Sequence, residues 1–232
     1  RSPSRGLGDV YKRQRPHRTT PNPSRCRGNS KMRTKQNKLL GELMAGVFIV
    51  FWFLISYLLS YQSINALISP ISNLMTVVPF LIFLPHGVRV IAVYFLGYKA
   101  VLPLFIAQLL LYQLFENMPP NEVHIPLAAV GALSPLIAFE LLRVCDLKSY
   151  YRPNPPDAMP NTVGPPLLAG ILAAIFNGLL TLAILLFNES PVANLNFLLG
   201  YLIGDLLGFL VILGLLVTCL LYTSPSPRDG LL

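Results

Sequence analysis

Arg89, Asp205 and Glu140 are charged residues inside otherwise apolar stretches of the chain, and they are where chemistry would have to reside. A charge in the hydrocarbon of a bilayer is expensive and is retained where it pairs, binds or switches. Counting at a helical rise of ~1.5 Å per residue, Arg89 and Asp205 both fall well inside the core of their spans. The two could therefore pair, either as a ligand pocket or switchable buried ion pair in which a bound anion competes for the arginine, or as a fixed pair that orders the bundle. Glu140 precedes Arg143 by three residues, the spacing of an i,i+3 ion pair near a helix end. His86 stands between Pro85 and Gly87. It could sense protons or bind ligand, or be satisfied by a backbone carbonyl.

No recognisable catalytic set accompanies these residues. The sequence has no HExxH motif, phosphate loop, serine elbow with its histidine, or Cys/His cluster at metal-binding spacing. His86 and His124 lie far apart, and Cys145 is the only cysteine well inside the apolar region, so no disulfide framework is available. We expect no enzyme, no metal and no cofactor.

The elements that would position these residues are membrane spans. With 53% hydrophobic and 12% charged residues, the composition belongs to the membrane class. A crossing helix needs about 20 apolar residues. The stretches Leu39 to Tyr61, Ile125 to Val144, Pro165 to Phe187 and Leu195 to Val217 reach this length, and Ala100 to Phe115 comes close to it. Asn73 to Gly97 carries Pro79, Pro85, His86, Gly87 and Arg89 near its middle. It predicts a broken helix, with halves at about Leu74 to Leu84 and Gly87 to Gly97, because irregular backbone at that depth survives only against protein or a wet cavity. The fold class expected is an all-α polytopic integral membrane bundle of about six crossings with a broken second helix. Gly200, Gly204 and Gly208 recur at spacing four and predict a face where another backbone approaches closely.

The net charge of +8 would ordinarily suggest a polyanionic partner, but it is confined to the ends. Met32 to Thr218 holds eight Lys/Arg against eight Asp/Glu, so no nucleic-acid partner is expected. The ends are also related to each other. Cys219-Leu-Leu-Tyr-Thr-Ser-Pro-Ser-Pro-Arg-Asp229 and Ser4-Arg-Gly-Leu-Gly-Asp-Val-Tyr-Lys-Arg-Gln14 can be read from opposite strands of one DNA sequence. That is the signature of a sequencing adapter translated at both ends of an assembled fragment. Residues 1–31 and 218–232 are therefore expected to be non-native, and residues 32–217 to form the transmembrane domain. Within that domain Arg33, Lys35, Lys38, Lys99, Arg143, Lys148 and Arg152 fall on one side of the six crossings, and Glu116, Glu122 and Glu189 on the other. The positive-inside rule then puts both termini in the cytoplasm.

Two segments resemble the bacterial membrane-associated sensor domains of the MASE type. One is Pro85-His-Gly-Val-Arg89 followed by Phe95-Leu-Gly-Tyr-Lys-Ala-Val-Leu-Pro-Leu-Phe-Ile106; the other is Tyr201-Leu-Ile-Gly-Asp-Leu-Leu-Gly208. The tryptophan common just ahead of the family's Gly-Asp is absent here, and six crossings stand where about eight are usual in that family. The resemblance implies an inner-membrane module for signal input, an unknown small ligand, and a cytoplasmic kinase or cyclase output domain. A small-solute transporter, or its substrate-binding membrane subunit, is the competing expectation, since a broken helix and midplane charges are also transporter features. A structural membrane protein whose charged pair only locks the bundle is a third.

Overall fold

The computed structural model describes residues 23–68, 82–115, 121–147 and 164–223. Every regular element in these residues is helical: α1 (Pro23–Ile68), α2 (Leu84–Leu96), α3 (Val101–Phe115), α4 (His124–Val144), α5 (Gly164–Phe187) and α6 (Leu195–Thr223). The chain divides into two units at Leu43/Met44. The described part of the first is the N-terminal stretch of α1. The second holds the remainder of α1 and the other five helices.

Among the described residues five helical stretches are long and apolar enough to cross a bilayer: Gln36–Gln62, Leu84–Phe115, His124–Val144, Gly164–Phe187 and Leu195–Cys219. The second unit keeps an apolar core around Phe53, Val93, Leu104 and Phe209 but is apolar outside as well. Leu102, Ile106, Leu133, Leu179, Ile203 and Leu210 face outward, while His86, Arg89, Gln108, Ser134, Asn177, Thr181 and Asp205 are buried. Lipid suits such an exterior, and the interior is where intramembrane polar groups are tolerated. The protein is an all-α polytopic membrane protein.

The stretch Leu84–Phe115 contains both α2 and α3, joined by a 3-10 turn at Gly97–Ala100. It does not run straight. The Arg89 guanidinium donates to Gln108 Oε1 across a separation of 19 residues, which in a continuous helix would set the two Cα atoms about 28 Å apart. The chain must fold back at the turn, midway between the two residues. Gly97 makes this possible with φ 60° and ψ −139°, a conformation open to glycine and strained for any residue with a Cβ. A Cβ at Gly97 would meet nothing within 4 Å, whereas one at Gly41 would be equally free but in ordinary helix. Gly97→Ala should therefore cost about 1–3 kcal/mol through backbone strain alone. Gly41→Ala should cost nothing, and thermal melts of the two variants in the same detergent would expose any failure of this contrast.

α2 spans only 13 residues and is packed against α4, α5 and α6. The anticipated break at Pro85-His86-Gly87 is not found within α2. Pro85, His86 and Gly87 do not form an unwound junction; they belong to the first turn of α2, where a proline lacking its N–H disturbs no helical bond. The irregular backbone lies just ahead, at Ile82 and Phe83. The preceding half-helix, expected at Leu74 to Leu84, falls mostly outside the described residues.

A helix leaves its first four N–H groups without internal partners, which is costly away from water. In α2 each is accounted for. Phe83 N–H donates to Gly204 O (2.9 Å), Leu84 N–H to Ser60 Oγ (3.0 Å) and His86 N–H to Phe83 O (3.1 Å), and Pro85 has none to satisfy. The glycine face anticipated on α6 supplies the seat. Gly204 accepts from Phe83, and Gly208 lies so close that a Cβ there would stand 2.0 Å from Phe83 O. Gly87 answers from α2, where a Cβ would stand 2.6 Å from Ile212 Cβ. Gly200, one turn before Gly204, is half-buried.

Candidate ligand site in the buried polar core

Because α2 starts at Leu84, His86 and Arg89 project from its first two turns into the middle of the bundle, with 0% and 2% of their surface exposed. His86 Nδ1 lies 3.2 Å from Asp205 Oδ2, within ion-pair range but off the line of a hydrogen bond. Its Nε2 lies 3.4 Å from Gly170 O on α5. Asn177, also on α5, donates its Nδ2 to Asp205 Oδ2 at 2.8 Å and reaches the Tyr201 hydroxyl at 3.4 Å. Asp205 thus accepts one hydrogen bond from α5 and lies within ion-pair range of His86 on α2. It also faces the first turn of α2, whose partial positive charge favours an anion.

Arg89 has a different set of neighbours. Besides Gln108 on α3, its guanidinium lies over the Phe53 ring (5.3 Å) and the Phe83 ring (5.4 Å), so both aromatic faces contribute cation–π attraction. The backbone of Gly131 on α4 completes the enclosure, since a Cβ there would come within 3.3–3.4 Å of the guanidinium atoms. Among the described residues Arg89 makes no ion pair with Asp205. Of the arrangements left open, the structure has His86 beside Asp205 and Arg89 bonded to Gln108. The reason is rotational. Asp205 shares its face of α6 with Gly204 and Gly208, which seat the start of α2 and so bring His86, rather than Arg89 one turn on, opposite the carboxylate.

Of the expected site residues, the structure brings together His86 and Asp205, with Arg89 on the same face of α2, and uses Pro85, Gly87, Gly204 and Gly208 to seat the helix that carries them. Glu140 and Arg143 form the anticipated i,i+3 pair at 2.5 Å near the end of α4, well exposed and apart from this core. Gln108, Gly131 and Ser134 were not singled out from the sequence. For Gln108 and Ser134 the available signal was an uncharged polar side chain inside an apolar span. Gln108→Leu should strand the Arg89 Nη2 donor in an apolar enclosure and cost about 1–3 kcal/mol. Chemical denaturation in mixed micelles would measure it, and a wild-type midpoint would count against this contact.

Compared with family models, curated proteins and solved structures, the chain matches none.

Proposed function

We propose that the chain is a membrane-embedded signal-input module, which couples a small ligand in the buried polar core to the position of α6. The observation that carries this reading is the contact between α2 and α6. Two ionisable side chains, His86 and Asp205, meet at 3.2 Å on a crossing whose backbones also touch. In this reading the contact has two arrangements, and a ligand that binds one better shifts the population between them. The resemblance of Pro85–Arg89 and Tyr201–Gly208 to MASE-type sensor segments supports the same reading, because these segments carry His86, Arg89 and Asp205. In it the module lies in a bacterial inner membrane with both termini cytoplasmic, catalyses nothing itself, and hands its signal to a kinase or cyclase output domain.

A transporter is the second reading, favoured by a short helix starting inside the bundle. Half-helix ion sites, however, depend on N-terminal N–H groups free to face the solute. Here Gly204, Ser60 and Phe83 already occupy those of α2. The discriminating experiment compares output activity in the full-length protein with uptake in sealed vesicles. Arg89→Ala and Asp205→Asn should each abolish ligand-dependent output, while vesicles containing the wild-type chain accumulate no solute. A ligand response unchanged by both substitutions would sink the proposal.

A further inference from the structure

The environment of Arg89 identifies its ligand more narrowly, an inference that rests on the signal-input reading for its purpose but not for its test. The guanidinium is enclosed on nearly every side. Phe53 and Phe83 cover its faces, Gln108 takes Nη2, and Gly131 lies against the rest. Nη1 is buried and has no hydrogen-bond partner among the described residues. A second orphan lies nearby. Ser134 is fully buried with its Oγ unpartnered, and it follows Gly131 by three residues, hence on the same side of α4 one turn along. Two buried donors, one carrying a full positive charge, therefore lie along the α2–α4 contact, while the buried carboxylate of Asp205 is already engaged by His86 and Asn177.

Leaving such donors unmet in a low-dielectric interior is costly. We propose that this is a binding site for a small monovalent anion, such as chloride or a short carboxylate, which accepts from Arg89 Nη1 and Ser134 Oγ. Size follows from the enclosure. The guanidinium already lies against Gly131, where a Cβ would stand 3.3–3.4 Å from its atoms, so only a small ion can share the enclosure. Pro135 supplies the means of entry. Lacking an N–H, it cannot bond the Gly131 carbonyl four residues earlier, so α4 is weakened in the turn that carries Gly131 and Ser134.

The test uses the whole purified chain in detergent and the sodium salts of chloride, formate and acetate as probes, with gluconate at matched ionic strength as the bulky control. A ligand that binds only the folded state raises the melting temperature by mass action. Chloride or a short carboxylate should raise it above gluconate, and the better of the two assigns the source. Ser134→Ala should weaken the apparent affinity at least about tenfold, as expected for loss of a hydrogen bond to a charged group. Gln108→Glu provides the variant that keeps its fold, because it places a carboxylate beside Arg89; it should melt higher than wild type without salt and lose the anion shift. Equal melting in all four salts overturns the proposal, as does an anion shift that survives in Gln108→Glu. Neither result depends on an output domain, so failure here is distinct from failure of the signal-input reading. An anion shift without any change in output would instead sink that reading alone.

Discussion

Alanine at Gly208 should unseat α2. The added Cβ would lie 2.0 Å from Phe83 O, 2.2 Å from Phe83 C and 2.7 Å from Leu84 N, all backbone atoms that cannot rotate away. The chain at Phe83 must then move off α6. In doing so it gives up the Phe83 N–H bond to Gly204 O and strains the Leu84 N–H bond to Ser60 Oγ. Each buried donor left without a partner costs about 1–3 kcal/mol, so a loss of roughly 3 kcal/mol or more is expected from one methyl group. Gly214 is the internal control. It lies on the same helix six residues later, and a Cβ there meets nothing within 4 Å. Gly214→Ala should therefore be neutral or slightly stabilising, since alanine is the better helix former. Equal denaturation midpoints for the two variants would show that the crossing is not as close as described.

The second large effect is expected at Asp205. Replacement by alanine removes the acceptor of the Asn177 bond at 2.8 Å and the partner of His86 at 3.2 Å, and it deletes the negative charge that balances Arg89 within the bundle. Removing one member of a buried charged set typically costs about 3–5 kcal/mol, most of it the penalty on the charge left behind. Asp205→Asn keeps a carbonyl for Asn177 and should lose less. The sharper measurement is a double-mutant cycle between Asp205→Asn and His86→Gln. Side chains in contact couple by about 0.5–3 kcal/mol, whereas independent sites add. Additivity in this cycle would mean that the 3.2 Å approach carries no energy, and the α2–α6 contact would lose its claim to be a switch.

Much of the fold was legible in the sequence because the bilayer enforces it. Runs of about 20 apolar residues must be helices, and Pro85, Gly87 and Gly97 are hard to place inside an uninterrupted one. The close face at Gly204 and Gly208 was legible for the same reason, since glycine at spacing four has little other use in a lipid-facing helix. The partners of the buried charges were not. Whether Arg89 meets Asp205 or Gln108 depends on the rotation of each helix about its axis and on where α2 begins, and neither is written in apolar periodicity when a span is apolar nearly all round. The division between α2 and α3 was legible, with Gly87 to Gly97 and Ala100 to Phe115 read as separate stretches; the sharpness of the turn between them was not, and it rests on the conformation of Gly97 and on one side-chain contact.

The capping of α2 sets an order on assembly. A 13-residue helix is too short to cross the roughly 30 Å hydrocarbon core as an independent insertion unit. Its first turn is completed by Ser60 from α1, made before it, and by Gly204 from α6, which is synthesised after α3, α4 and α5. While the ribosome is still translating those three helices, α2 has Ser60 but not Gly204 at its amino end, and a polar turn bearing His86 and Arg89 waits in or beside the membrane. The middle of this bundle is thus the last part to settle, and a nascent chain stalled before Gly204 would present its insertase with an unfinished core.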